Sequence, residues 1–169
     1  NWTNGSNFLA AYDVCNWNNG LPTYDEEEKN WQKLGVYCQG TPAGLLVYLN
    51  NGRLDGTLPW ELSFLSNVIY LHVRNNTLVG TIPTEMSQMS TLHELVFKNN
   101  TLTGTIPTLL GLLTELQWLD FYMNMMTGTI PTELGTLTAL EYLDLGNNRF
   151  TGTVPTQLSQ LTGLQNLYF

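Results

Sequence analysis

The chain has 169 residues, 43% of them hydrophobic and only 12% charged, with a formal net charge of −8. This length allows one domain with its own core, since chains of about 150 residues bury roughly two-thirds of their unfolded surface. The negative charge argues against nucleic acid and anionic membranes as partners, and no apolar run approaches the ~18 residues of a membrane helix, so direct membrane insertion of this segment is not expected.

Glycosylation patterns and cysteines together indicate secretion. Asn-x-Ser/Thr acceptor patterns start at four positions: Asn1, Asn4, Asn75 and Asn99. Both cysteines, Cys15 and Cys38, precede the repeats described below and could form a disulfide. A chain that opens at Asn1 suits a mature protein whose signal peptide has been removed, and equally a fragment. We therefore expect a secreted or cell-surface glycoprotein.

From residue 44 onward the sequence repeats with a constant length, which equals the separation of Pro59 and Pro83 along the chain. There are five such repeats and a partial sixth. One proline marks each full repeat: Pro59, Pro83, Pro107, Pro131 and Pro155. A glycine stands three residues before each proline, and three columns of apolar residues keep the same spacing. An asparagine column joins them: Asn76, Asn100, Asn124 and Asn148. Residues 44–169 are therefore predicted to form one repeat domain, preceded by a separate segment over residues 1–43.

Each recurring position has a physical role in a stacked structure. The alternation in Leu119-Asp120-Phe121 has a period of two, which predicts a short strand with one buried face. One such strand per repeat gives a parallel sheet with neighbouring strands about 4.8 Å apart. Asn can satisfy buried backbone groups where the chain turns inward, Gly permits the next bend, and Pro suits a site that needs no ladder donor. Because one repeat cannot bury its apolar face alone, we expect the core to form only by stacking.

The repeat resembles the plant-type leucine-rich repeat, LxxLxxLxLxxNxLxGxIPxxLxxL, which residues 113–131 reproduce nearly verbatim. The resemblance covers roughly residues 44–169. Proteins of this kind include plant receptor ectodomains, polygalacturonase-inhibiting proteins and algal secreted proteins. The resemblance implies a leucine-rich-repeat solenoid: a right-handed superhelix with a concave parallel β-sheet, a second extended segment at Gly-x-Ile-Pro, short convex helical turns and an N-terminal cap over residues 1–43.

The cap of such proteins usually carries a Cys-x-Trp-x-Gly-Val-x-Cys element. Its two halves are present here, Cys-Asn-Trp from Cys15 and Gly-Val-Tyr-Cys ending at Cys38, but residues 18–34 separate them. We interpret that stretch as an insertion whose acidic run, residues 25–28, starts a solvated helix, with a cation site as the alternative. The resemblance implies a Cys15–Cys38 disulfide, which stabilises by about 3 kcal/mol in the chain-entropy model.

The chain ends at Phe169, inside the predicted sixth strand. Residues 165–169 resemble a protease-tag remnant, yet Leu164, Leu167 and Phe169 keep the register of the repeat, which favours native sequence. No polar capping repeat follows, although solenoids normally need one to cover the last apolar face. We therefore expect either more protein after this point or self-association through this uncapped edge.

Residues that alternate with the buried strand positions point outward from the predicted sheet. The candidate ligand-binding set on this concave face is Tyr70, His72, Arg74, Lys98, Trp118, Asp120, Tyr122, Tyr142 and Asp144. The early half of this set is basic, and the later half is aromatic and acidic. Exposed Trp and Tyr on a rigid sheet commonly anchor partners or stack on sugar rings, although scattered surface aromatics are also ordinary. Clustered on the face that this family uses, they indicate a protein, peptide or glycan ligand.

The pair of Asp120 and Asp144 raises the question of catalysis. The two carboxylates occupy one column, about 5 Å apart by strand spacing, and paired carboxylates at that separation can serve glycoside hydrolysis. Leu-Asp-Leu strands are nevertheless common in this family without a catalytic role. The sequence contains no evident catalytic triad, metal-ligand spacing or phosphate-binding loop. We therefore expect a protein that is not an enzyme and that uses no cofactor or metal.

Threonine recurs around each Gly-x-x-Pro and forms a second regular surface. Thr-Gly-Thr segments stacked along a solenoid would form parallel ladders of hydroxyl and methyl groups that resemble the ice-binding faces of several antifreeze proteins. The candidate ice-binding residues are Thr81, Thr103, Thr105, Thr127, Thr129, Thr151 and Thr153. Thr also suits extended segments by propensity alone, so these columns have a purely structural explanation as well.

The leading prediction is an extracellular recognition module that binds a protein, peptide or glycan on its concave face. Two non-enzymatic alternatives remain open. One is a structural protein that assembles end to end into oligomers or filaments, and the other is an ice-binding protein that uses its threonine ladders.

Overall fold

The computed structural model describes residues 37–41, 44–50, 54–65 and 67–169. Strands alternate with 3-10 helices, labelled η, in the order of the repeats. In chain order the elements are β1 (Tyr37–Thr41), β2 (Gly44–Tyr48), β3 (Asp55–Thr57), η1 (Trp60–Phe64), β4 (Val68–His72), β5 (Thr77–Val79), η2 (Thr84–Gln88), β6 (Glu94–Val96), η3 (Thr108–Leu112), β7 (Trp118–Asp120), β8 (Thr127–Gly128), η4 (Thr132–Thr136), β9 (Tyr142–Asp144), β10 (Arg149–Phe150), η5 (Thr156–Gln160) and β11 (Asn166–Tyr168).

Most of the features predicted for the N-terminal segment lie outside the described residues. These are Asn1, Asn4, Cys15 and the acidic run at residues 25–28. The disulfide, the insertion and the first two glycosylation sites therefore stay predictions. The described part of this segment is β1, whose backbone pairs antiparallel with β2 and so begins the sheet.

Seven strands form one sheet in the order β1-β2-β4-β6-β7-β9-β11. Every pair after β1–β2 is parallel, and equivalent residues of successive repeats face each other, as Leu71 faces Leu95 and Leu119 faces Leu143. Two smaller parallel pairs, β3–β5 and β8–β10, form from the second extended segments. The predicted solenoid with a parallel sheet is confirmed.

The core is one continuous cluster of apolar side chains shared by all the described repeats. The sheet contributes buried residues such as Leu95 and Leu119, and the 3-10 helices contribute residues such as Leu110 and Leu134. Each 3-10 helix begins directly after the recurring proline, whose backbone is extended. Proline suits this position because the first turn of a helix leaves its N–H groups without intrahelical acceptors.

A buried asparagine ties each repeat to the one before it. The Asn100 side chain donates from Nδ2 to the carbonyls of Val73 (2.8 Å) and Phe97 (3.0 Å), and its Oδ1 accepts the Leu78 N–H (3.2 Å). The same three bonds recur with small changes of length at Asn76, Asn124 and Asn148. Since buried backbone groups without partners are costly, this asparagine ladder allows the chain to turn inside the core.

The residue before each ladder asparagine has a left-handed backbone. The positions concerned are Asn75 (φ 57°), Asn99 (φ 55°), Met123 (φ 54°) and Asn147 (φ 52°). Asparagine tolerates this conformation because its short polar side chain can bond locally, whereas a side chain such as methionine is strained there by about 1–2 kcal/mol. Met123 is therefore a local weak point in an otherwise regular row.

The last strand leaves an apolar edge. β11 pairs with β9 on one side, and Leu167, Tyr168 and Phe169 are exposed. Self-association through this edge stays a prediction.

We expect Asn100→Ala to lower the free energy of unfolding by about 3 kcal/mol. The substitution leaves the buried Leu78 N–H without its acceptor and removes one of the two asparagine donors from each of the Val73 and Phe97 carbonyls. Urea unfolding followed by circular dichroism measures the change. The control is Asn166→Ala, since Asn166 is exposed on β11, and we expect a change within about 0.5 kcal/mol there. Equal effects of the two variants would contradict the structural role of the ladder.

We expect Met123→Asn to raise the free energy of unfolding by about 1 kcal/mol, because asparagine adopts the left-handed backbone more readily. Leu109→Asn is the matched control: Leu109 is exposed to nearly the same extent (46% against 45%), but it lies in η3. No gain is expected there, since asparagine is a poorer helix former than leucine. If both variants are stabilised, the gain in unfolding free energy comes from the loss of exposed apolar area and not from the relief of backbone strain.

Candidate functional site

The concave face, defined as the outward side of the seven-stranded sheet, carries two rows of side chains in strand register. The first row is Leu46, Tyr70, Glu94, Trp118, Tyr142 and Asn166. The second row is Tyr48, His72, Val96, Asp120, Asp144 and Tyr168. Arg74, Lys98 and Tyr122 follow the strands two residues later and form a third row. All nine candidate ligand-binding residues therefore lie on one side of the sheet, although Asp120 and Asp144 are buried there. Their binding role stays a prediction.

Two aromatic rings of the first row are stacked. The rings of Trp118 and Tyr142 are parallel within 5°, with centroids 3.8 Å apart. Tyr168 extends the group, with its ring tilted 50° against Tyr142 at 5.8 Å. Strand side chains stand roughly perpendicular to their sheet. Since these rings lie against their neighbours across the sheet, the stack turns ring edges outward and covers the ring faces between Trp118 and Tyr142.

The two aspartates of the second row are buried at the base of this aromatic group. Asp120 Oδ1 accepts the N–H of Tyr122 at 2.9 Å, and Asp144 Oδ1 accepts the N–H of Gly146 at 2.9 Å. Each carboxylate thus holds the backbone two residues further on, as in an Asx-turn. The other Asp144 oxygen accepts the Tyr142 hydroxyl at 3.2 Å. The aspartates consequently shape the surface from below.

These contacts change the acidity of the groups involved. Burial raises the pKa of Asp120, and the neighbouring Asp144 adds to the increase, while the Tyr122 N–H and the cations Lys98 and Arg74 act against it. Burial, together with the charges of Asp144 and Asp120, raises the pKa of Tyr142 well above its usual range. The Tyr142 hydroxyl therefore stays protonated at neutral pH and remains a donor to Asp144.

The early half of the concave face is polar. It contains a contact between His72 and Glu94 that was not predicted from the sequence. His72 Nε2 lies 2.7 Å from Glu94 Oε2, and the rings of Tyr48 and Tyr70 lie 4.9 Å and 6.0 Å from the His72 ring. Glu94 is absent from the predicted set, although its diagonal position relative to His72 on the adjacent strand could have indicated the pair. The Lys98 ammonium lies over the Tyr122 ring, 4.9 Å from its centroid.

The two predicted glycosylation sites that the structure describes lie side by side. Asn75 and Asn99 are exposed, and Asn99 Nδ2 donates to Asn75 Oδ1 at 3.0 Å. Their positions at the strand ends are open to solvent. Glycosylation at either residue stays a prediction.

The predicted threonine columns are exposed and held in fixed orientations. In one column, the Cγ2 methyl of Thr81 packs on Gly104 and that of Thr105 packs on Gly128 in the next repeat. A Cβ added at either glycine would lie only 2.7 Å from the methyl carbon. These glycines have φ of +76° and +80°, so both the close approach and the backbone require glycine. In the other column each threonine hydroxyl donates to a glycine carbonyl of the preceding repeat. These residues are Thr103, Thr127 and Thr151.

The described ranges offer neither a metal site nor a membrane span. There, no group of three or more His, Cys, Asp and Glu side chains is arranged to hold a metal ion. Within the same ranges, every helix is too short to cross a bilayer.

Comparisons with known proteins agree with the repeat architecture. A family model described as Leucine Rich Repeat matches residues 139–161. No curated protein matches the chain. Among solved structures, the chain is similar to the ectodomain of the plant membrane receptor kinase GASSHO1/SCHENGEN3 from Arabidopsis thaliana, in complex with CASPARIAN STRIP INTEGRITY FACTOR 2. The two are 33% identical with a TM-score of 0.75, over 89% of this chain and 18% of the receptor chain.

Two further Arabidopsis structures are also similar. The ectodomain of the receptor kinase SOBIR1 is 26% identical with a TM-score of 0.71, over 95% of this chain and 90% of that chain. The receptor kinase HAESA, in complex with the peptide hormone IDA and the co-receptor SERK1, is 32% identical with a TM-score of 0.65. That match covers 72% of this chain and 22% of the HAESA chain. Together with the constant repeat spacing and the parallel sheet, these similarities show that the chain is a leucine-rich-repeat solenoid of the plant type.

Proposed function

We propose that this chain is an extracellular recognition module that binds a peptide, or an extended segment of a protein, on its concave face. The observation that carries the proposal is the stacked pair of Trp118 and Tyr142 above the buried aspartates. Aromatic side chains that are partly exposed and held in one orientation lose little conformational entropy on binding, which makes them suitable anchors. Extracellular location and the absence of catalysis are part of the same proposal.

The geometry favours a peptide over a glycan. A sugar ring that stacks on an aromatic side chain needs a free ring face, and the stack covers the faces between Trp118 and Tyr142, so that of the indole only the face turned away from Tyr142 is left. Ring edges and the indole N–H suit backbone carbonyls and side chains of a peptide instead. The HAESA structure is a complex with a peptide hormone, which supports the same class of ligand.

The asparagine ladder gives this face the rigidity that binding requires. It fixes the turn directly after each strand, so the rows on the concave face keep their spacing without a ligand. A binding surface that is already ordered avoids part of the entropic cost of association. The charges also differ along the face, from Arg74 and Lys98 in the early repeats to Asp120 and Asp144 in the later ones. This polarity would orient a charged peptide.

A second candidate function, ice binding, is favoured by the ordered threonine columns. Methyl packing on the glycines and hydroxyl bonds to the glycine carbonyls hold the threonines of both columns in one orientation. A regular array of fixed hydroxyl and methyl groups is suited to a partner that is itself a lattice, such as ice.

Selection of displayed random peptides tests the proposed recognition function. We expect wild-type protein to select peptides whose affinity falls about thirtyfold in Trp118→Ala, equivalent to about 2 kcal/mol for an interface anchor. Trp60→Ala is the matched control, because Trp60 is also an exposed tryptophan but lies in η1. We expect that variant to keep its affinity within about twofold. If the selected peptides lose affinity equally in both variants, or in neither, the concave face is not the binding surface. Oligosaccharide binding that only Trp118→Ala abolishes would replace the peptide by a glycan.

Thermal hysteresis of freezing tests the second candidate. If the threonine columns bind ice, the double variant Thr105→Lys with Thr129→Lys should abolish hysteresis, because two charged side chains interrupt the flat array. The control is Thr114→Lys with Thr138→Lys, which are also exposed and occupy equivalent positions in successive repeats but lie outside the columns. Hysteresis that is absent from the wild type, or equal in the two double variants, would reject ice binding.

A further inference from the structure

We propose that the concave face contains an arginine slot: the guanidinium group of a bound peptide's arginine lies between Glu94 and Trp118, above the carboxylate of Asp120. The inference rests on the proposed peptide-binding function and specifies one side chain of the ligand. It follows from the Trp118 ring face that Tyr142 does not cover and from a carboxylate oxygen of Asp120 that has no donor among the described residues.

One face of the Trp118 indole is covered by a neighbouring ring, and the other is turned toward the preceding repeat. Tyr142 covers the first face at 3.8 Å. On the other side, the neighbour across the sheet is Glu94, whose carboxylate is turned away and held by His72 in the preceding repeat at 2.7 Å. Trp118 as a whole is 38% exposed. A flat group would lie on this side of the ring, where the Glu94 carboxylate is drawn off to His72, since a guanidinium stacks on tryptophan through cation–π attraction.

Asp120 lies on the same side of the same strand, two residues after Trp118. Its side chain is only 5% exposed, and Oδ1 is already bonded to the Tyr122 N–H. Oδ2 accepts no hydrogen bond from the described residues, and no Lys or Arg nitrogen among them lies at ion-pair distance. This oxygen is not sealed inside the protein. Among the described residues, the polar side-chain atom that is fully enclosed and has no hydrogen-bond partner is Ser63 Oγ, not Asp120 Oδ2. This residual exposure is the route by which a cationic donor from a ligand would approach the oxygen.

The neighbouring aspartate shows why Asp120 is the distinctive one. Asp144 has the equivalent bond to Gly146, but its second oxygen accepts the Tyr142 hydroxyl. Asp120 receives no equivalent hydrogen bond from the described part of the chain. In its repeat the position of Tyr142 is occupied by Trp118, whose side chain has no hydroxyl group. The Lys98 ammonium lies over the Tyr122 ring, 4.9 Å from its centroid, and does not pair directly with the carboxylate. The oxygen without a donor therefore belongs to a residue on the same side of the same strand as Trp118, two residues further along.

Arginine suits this arrangement better than lysine does. The guanidinium is planar, so it can stack on the indole while its N–H groups point down to a carboxylate, and it is more weakly hydrated than an ammonium. A lysine ammonium could satisfy the Asp120 oxygen but would gain less from the ring. The slot therefore requires both a positive charge and a flat donor group.

Titration with three blocked tripeptides tests the slot: acetyl-Gly-Arg-Gly-amide, its citrulline analogue, which has the same shape without the charge, and its lysine analogue. The readout is the NMR signal of the Trp118 indole N–H at low ionic strength, assigned from its loss in Trp118→Phe. We expect the arginine peptide to shift this signal with a dissociation constant on the order of millimolar, as suits a single side-chain contact. The citrulline peptide should bind at least about tenfold more weakly and the lysine peptide about threefold more weakly.

Two single-charge variants separate the slot from general attraction to an acidic chain. Asp120→Asn keeps an oxygen that can accept the Tyr122 N–H, so we expect it to fold normally and to bind the arginine peptide about tenfold more weakly. Glu115→Gln removes the same charge from an exposed position outside the concave face, and binding should be unchanged. Equal weakening by both variants, equal binding of arginine and citrulline, or an unmoved Trp118 signal would each overturn the proposal.

The outcome is distinguishable from failure of the proposed function. If displayed peptides without arginine bind wild type and lose affinity in Trp118→Ala, the concave face is the recognition surface and the arginine slot is refuted. If no selected peptide responds to Trp118→Ala, the proposed function itself fails, whatever the tripeptides do.

Discussion

In each repeat of this solenoid the chain turns sharply after its sheet strand, and the turn leaves backbone N–H and C=O groups inside an apolar core. One asparagine amide satisfies three of them, two carbonyls and one N–H, across two consecutive repeats. Because each unsatisfied buried group costs about 1–3 kcal/mol, the turn would be unstable without this side chain. The ladder therefore fixes the offset of one full repeat between neighbouring strands, and with it the rows of side chains on the concave face.

The sequence predicted the fold well because nearly all contacts in a solenoid join a repeat to its neighbour. Once the columns were aligned, equivalent residues of successive repeats had to be neighbours, and the observed register of Leu71 with Leu95 and of Glu94 with Trp118 follows directly. The positions of the candidate ligand-binding residues in rows came from the same alignment. Met123 shows the limit of this method, since the column of residues with a left-handed backbone became visible only from the backbone angles.

The chemistry of the site was less predictable because it depends on side-chain rotamers. Alternation in a strand says that Asp120 faces outward, but not that its carboxylate folds down to bond the Tyr122 N–H and becomes buried. Likewise, the row assignment put Trp118 beside Tyr142 without showing that their rings stack, or that Glu94 turns toward His72. These choices decide which ring face is open and which carboxylate oxygen lacks a donor, and both determine what the surface can bind.

The central claim is that a concave face held rigid by the asparagine ladder recognises a peptide in an extended form. A crystal structure of the chain with a selected peptide tests this claim most directly. We expect a peptide that crosses β6, β7 and β9, contacts Trp118, and leaves the backbone of the asparagine ladder in its present positions. A peptide bound to the 3-10 helices or to the threonine columns, or a ladder rearranged around the ligand, would contradict it.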